Sequence, residues 1–109
     1  MEVRRGDLVT IALSGDYGKP RPAVIVQADA FDALPSVTVL PLTSELRDWP
    51  LFRVMAEANR GTGLRGRAQV MIDKAVTVPR SRIGQPIGHL NSTTMLAIDT
   101  ALAKFLGLA

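Results

Sequence analysis

The sequence predicts a mainly β protein closed by one C-terminal α-helix, with an SH3-like curled barrel as the nearest common design. Short runs rich in aliphatic and β-branched residues recur up to Val78, most of them bounded by Gly, Pro, Asn or Asp. Helical periodicity is confined to the end, where Met95, Ile98, Leu102 and Phe105 recur at steps of three or four. No repeat, low-complexity tract or linker divides the 109 residues, so residues 1–109 are read as a single domain.

The elements follow in order. Asp7–Leu13 (DLVTIAL) carries a β-branched run and predicts the first strand. Ser14–Lys19 (SGDYGK) is turn chemistry, with two glycines able to take positive φ. Pro22–Gln27 is apolar almost throughout, which predicts a strand buried on both faces. Asp29–Leu34 reads as a short helical turn. Val37–Leu40 is a third strand ended by Pro41, and Leu51–Met55 a short fourth. Glu57–Gly66 is loop, punctuated by Asn59, Gly61, Gly63 and Gly66. Ala68–Ile72 and Ala75–Val78 are two more strands separated by Asp73-Lys74. Pro79–Gly88 is expected to hold another short irregular or helical piece. Asn91-Ser92 offers an N-cap to the closing helix, and Gly107 a C′ residue.

Composition narrows the chemistry. Hydrophobic residues make up 47% and charged residues 21%, which is ordinary for a protein with its own core. No apolar run reaches transmembrane length, and MEVRRGD has no apolar core of a signal peptide, so a cytoplasmic location is expected. Cysteine is absent, which removes disulfides, thiolate nucleophiles and cysteine-ligated metals together. His89 is the one histidine, so a histidine acid–base pair within one chain is excluded. No HExxH, acidic cluster, Walker loop or nucleophile elbow occurs, and neither a metal nor a cofactor is expected.

The net charge of +3 permits nucleic-acid binding without demanding it. Ten arginines stand against three lysines, and the arginine fork suits phosphate. What remains for catalysis is Arg, Thr, Ser, Asp and Tyr. Phosphodiester cleavage by an internal nucleophile fits that set. RNA brings its own 2′-hydroxyl, so a protein need only align it, move protons and neutralise charge on pentacovalent phosphorus.

Several motifs occur together in order. They are Arg5-Gly6-Asp7-Leu8-Val9, Lys19-Pro20-Arg21-Pro22-Ala23-Val24-Ile25-Val26, Pro41-Leu42-Thr43-Ser44, Gly63-Leu64 with Val70-Met71-Ile72-Asp73-Lys74, and Ser81-Arg82-Ile83-Gly84 with Ile87-Gly88-His89-Leu90. In that order and spacing, over nearly the whole chain, they resemble the MazF/PemK (Kid) family of toxin ribonucleases. The resemblance implies the curled barrel shared by CcdB and PemK proteins. It also implies metal-independent cleavage of single-stranded RNA to 2′,3′-cyclic phosphate and 5′-hydroxyl ends, a homodimer, and an antitoxin whose tail occupies the RNA groove.

Residue by residue, the resemblance gives Arg21 and Thr43 catalytic roles, and Asp73 the role of an acid proposed as base in the Kid branch. Proline on either side of Arg21 stiffens the backbone that carries the guanidinium. Since arginine holds its proton above pH 12, Arg21 is assigned to charge stabilisation and to protonating the leaving 5′-oxygen. The base stays open between Asp73, Thr43 through water, and Arg21. Lys19, Ser44, Arg47, Arg53, Arg65, Arg67 and Arg80 are candidate phosphate contacts, and Trp49, Phe52 and Tyr17 candidate stacking residues.

Each of these residues has a structural alternative. Arg21 would pair with Asp16 or Asp7, Thr43 would cap a turn, and Asp73 would sit in a hairpin. The chain departs from the family pattern in its short first loop, in Met71 where the Kid branch has arginine, and in Lys74 in place of glutamine. A CcdB-like gyrase poison and an inactive RNA- or antitoxin-binding member are the alternative functions.

Overall fold

The computed structural model describes residues 2–12 and 19–109. Among the described residues seven strands precede one helix: β1 (Asp7–Ile11), β2 (Arg21–Ile25), β3 (Ser36–Thr43), β4 (Arg53–Ala56), β5 (Ala68–Met71), β6 (Val76–Pro79) and β7 (Ile83–His89), then α1 (Ser92–Phe105). Three single 3-10 turns, 29–31, 72–74 and 80–82, join them. Neighbours run β4-β5-β3-β2-β1-β7, with β6 also paired to β3, and every pairing is antiparallel.

The apolar run of β2 is explained by burial on both sides. Val24 joins Leu8, Leu40, Leu42, Val70, Leu90 and Ile98 beneath α1. Ala23 and Ile25 point the other way, into a second core with Val9, Ile11, Val37, Val39, Val78 and Ile83. This second cluster draws on β7, β1, β2, β3 and β6, five strands in spatial order. Laid flat they would put the outer pair about 19 Å apart. Yet only residues 80–82 separate β6 from β7, a reach of at most about 14 Å. The sheet therefore curls until its edges meet, which is the expected barrel.

Two expectations are corrected. Pro41 does not end the third strand, which runs on to Thr43. It lies where β3 leaves β6, after Val39, and takes up β5, from Leu42. The ladder on that edge is interrupted there, so a residue without an N–H fits. The short helical piece expected within Pro79–Gly88 is the 3-10 turn at 80–82, but residues 83–89 form β7, a strand that the sequence reading does not include. In addition, Asp73-Lys74 does not join a hairpin. β5 and β6 are not paired to each other, and residues 72–74 form a 3-10 turn that hands the chain from one edge partner of β3 to the next.

The helix starts and stops as its sequence predicts. Asn91 Oδ1 accepts from Thr94 N–H at 2.8 Å. At the other end Gly107 takes φ +76°. Its N–H donates to Lys104 C=O and that of Leu108 to Ala103 C=O, closing a Schellman motif. Met95 and Ile98 are buried and Leu102 is half-buried, but Phe105 and Leu106 extend past the core and are exposed.

Candidate active site

Arg21 is the first residue of β2, so its backbone enters the ladder opposite Ile11 while its side chain sits at the strand mouth, exposed. Thr43 is the last residue of β3. The β2–β3 ladder pairs Ile25 with Val39, Val24 with Leu40 and Ala23 with Pro41. Arg21 begins β2 and Thr43 ends β3, each two residues beyond the last pair of that ladder. The sheet thus delivers two residues distant in sequence to one end of adjacent strands.

Both line one open cleft of about 710 Å³, together with Thr10, Ser44, Leu64 and Arg65. No acidic side chain lines it among the described residues, where Arg21 and Arg65 supply the charge, Thr10, Thr43 and Ser44 the hydroxyls, and the rest of the lining is apolar or glycine. Thr43 Oγ1 accepts from Glu45 N–H at 3.1 Å. The turn role anticipated for this hydroxyl is real, and the hydroxyl still has its own proton to donate.

The far wall comes from the loop after β4. Thr62, almost fully buried, donates through Oγ1 to Glu57 C=O at 2.8 Å, and its N–H donates to Asn59 Oδ1 at 2.9 Å. Gly63 takes φ +67°, and a Cβ there would fall 2.0 Å from Ile87 O. Gly88 faces Thr62 O equally closely. The glycine-rich stretch is a packing device that presses this loop onto β7.

A second concavity of about 470 Å³, lined by Arg47, Trp49, Pro50, Arg53, Met55 and Gln69 among others, lies beside the first. The two flank a single register pair, since Thr43 of the first is the Cα partner of Gln69 of the second. Trp49 stacks on Phe52 with centroids 5.3 Å apart, and the guanidiniums of Arg53 and Arg47 lie 4.8 and 5.8 Å from its ring. The indole keeps 43% of its surface exposed, but it is already braced by three neighbours.

Not every residue expected at the site reaches it. Arg80 lies elsewhere, its guanidinium donating to Leu34 C=O at 2.6 Å and to Asp32 C=O, where it ties down the 29–31 turn. Asp73 does not line the cleft. β5 leaves the cleft wall at Ala68 and carries the chain away at about 3.3 Å per residue. The Asp73 carboxylate lies 3.5 Å from Lys74 Nζ instead. Lys19 is exposed just before Pro20, outside the cleft lining. Tyr17 lies outside the described residues. Thr10 and Gln69 are the additions, and Arg53, expected as a phosphate contact, lines the second concavity. For Gln69 the available signal was one polar residue inside the apolar run Ala68-Gln69-Val70-Met71.

Fold and cleft together define a small helix-capped β-barrel with a basic, open groove at its strand ends. The chain belongs to the PemK-like, MazF-like toxins of type II toxin–antitoxin systems, whose family model matches residues 4–106. It is 49% identical over 108 residues to a probable endoribonuclease MazF of Mycolicibacterium smegmatis (strain ATCC 700084 / mc(2)155), covering 98% of this chain and 99% of that protein. Among solved structures it is similar to an endoribonuclease in complex with its cognate antitoxin from Mycobacterial species. That match has a TM-score of 0.82 and 28% identity, covering 99% of this chain and 98% of the other. It is also similar to Mycobacterium tuberculosis toxin MazF-mt6, with a TM-score of 0.81 and 26% identity over 94% and 98% of the two chains.

Proposed function

We propose that the protein is the toxin of a type II toxin–antitoxin pair and acts as an endoribonuclease on single-stranded RNA, in the cytoplasm and as a homodimer. The observation that carries this reading is the meeting of Arg21 and Thr43 in one cleft whose described lining holds no carboxylate to repel a phosphodiester. The relative at 49% identity, named as a probable endoribonuclease, supports the activity. The family match supports a protein antitoxin as partner and favours a nuclease over a gyrase poison.

In the proposed reaction the 2′-hydroxyl oxygen attacks the adjacent phosphorus in line. The P–O2′ bond forms, the P–O5′ bond breaks, and the products are a 2′,3′-cyclic phosphate and a 5′-hydroxyl. Arg21 stabilises the negative charge that builds on the phosphoryl oxygens. It also supplies the proton taken by the departing 5′-oxygen, which is basic enough to accept it. Thr43 and Ser44 donate to a non-bridging oxygen. Arg65 holds the neighbouring phosphate. Asp73 does not line the cleft, so the 2′-hydroxyl proton passes to a solvent water held by the Thr43 hydroxyl, and solvent returns a proton to Arg21 after the 5′-oxygen has left.

Incubating the purified protein with a long RNA in EDTA tests this. Cleavage to cyclic-phosphate ends is expected, and Arg21→Ala should lower the rate by about a hundredfold or more. Intact RNA, equal cleavage by the variant, or cleavage of DNA would each overturn the reading.

A further inference from the structure

Gln69 sits in β5 with only 6% of its surface exposed, a buried amide in an otherwise apolar strand. It is not idle. Its Oε1 accepts from Arg47 N–H at 3.0 Å and from Arg53 Nη1 at 2.8 Å, while its Nε2 donates to Arg47 C=O at 2.9 Å. One side chain thus copies a β-ladder, taking both backbone groups of Arg47 although residue 47 belongs to no strand. Arg53 Nη1 also reaches Glu45 C=O at 3.1 Å, so both ends of the 45–47 segment are latched. The Nε of Arg53 is buried without a hydrogen-bond partner among the described residues. A buried orphan donor is unfavourable, and its guanidinium is held over the Trp49 indole at 4.8 Å.

Building on the ribonuclease reading, we propose that the concavity lined by Arg47, Trp49, Arg53 and Gln69 is a preformed subsite for one nucleotide beside the scissile phosphate, and that Gln69 is its positioning residue. The chemistry suits a nucleotide. The part of the indole that its three neighbours leave exposed offers contact to a base, Arg47 offers a phosphate contact, and the pocket begins one register pair from Thr43. Holding that segment in place before RNA arrives removes ordering cost from binding. Gln69 itself acts through Arg47 and Arg53 and does not touch the reacting atoms.

The chain has a single tryptophan, so its emission reports on this pocket alone. The wild-type protein is titrated with a short RNA carrying 2′-deoxy substitution at the cleavage point, which binds but cannot be cut. A binding-dependent change in Trp49 emission is expected. In Gln69→Met, which keeps side-chain length and loses all three hydrogen bonds, that change should shrink. KM for cleavable RNA should rise by about tenfold while kcat falls by no more than about threefold. Gln69→Glu keeps both acceptor contacts and should recover part of the affinity. Circular dichroism and a urea midpoint verify that each variant is folded. Exposed Arg47→Ala gives a second route to the same KM effect should Gln69→Met not fold. Wild-type emission indifferent to bound RNA, or loss of kcat with KM unchanged in the variants, would overturn the proposal. A wild-type protein that binds and cuts no RNA would instead overturn the ribonuclease reading on which it rests.

Discussion

At the scale of single residues, the main device is the placement of a cation by prolines. Pro20 and Pro22 each fix φ, and Pro22 also restricts Arg21 to extended conformations, so β2 begins at the guanidinium-bearing residue itself. Little backbone entropy remains to be lost when a phosphate arrives. This argument predicts that charge alone will not suffice. Arg21→Lys keeps a cation but not the planar fork, and should recover under a tenth of the wild-type rate, measured as single-turnover cleavage. Thr43→Ser should retain most activity and Thr43→Val should lose about tenfold or more, because only the first keeps a hydroxyl. Equal rates for those two variants would leave Thr43 with its turn role alone. Arg21 and Thr43 were legible only through the motifs around them, since an arginine between prolines is otherwise a plain surface residue. Arg80 was misleading for the same reason. Nothing in the sequence separates an arginine that meets a ligand from one that meets Leu34 and Asp32 carbonyls.

At the scale of elements, strands with a regular burial pattern were legible and β7 was not. β1, β2, β5 and the helix announce themselves by aliphatic runs, by helical spacing, and by the Asn91 and Gly107 caps. β7 carries Gly84, Pro86 and Gly88 and is exposed along much of its length, so it has the composition of a loop. Its pairing with β1 is irregular, shifting register between Leu8 and Val9 and again before Ile11. Tertiary contact, not local preference, makes it a strand. The same contact fixes the cleft wall, which allows a paired comparison. Gly63→Ala forces a Cβ against Ile87 O at positive φ, and should cost about 2 kcal/mol or more in urea unfolding and lower RNA affinity. Gly66→Ala lies in the same cleft lining with nothing within 4 Å of its Cβ, and should stay within about 0.5 kcal/mol of wild type. If both variants behave alike, the loop is not pressed onto β7.

At the scale of the molecule, charge decides how RNA is held. Affinity for a single strand should fall with salt at a slope of about 0.7 per phosphate neutralised. Arg65→Ala should reduce that slope by about one such unit without abolishing cleavage, measured by titration at several salt concentrations. An unchanged slope would remove Arg65 from the groove. Leu96 in the first half of α1, and Phe105, Leu106 and Leu108 at and just past its end, are exposed and supply apolar surface for the proposed dimer. Sedimentation showing a monomer at micromolar concentration would argue against it. None of the described helices is long and apolar enough to cross a membrane. The barrel closes late along the chain. β1 waits for β7 from the opposite end of the sequence, and the Gly61–Gly63 loop is tied to His89 by a 2.8 Å hydrogen bond. Unpairing β7 from β1 would therefore take Ile87 out of the cleft wall and leave Gly63 with nothing to press against, so the groove lasts only while these two strands stay joined.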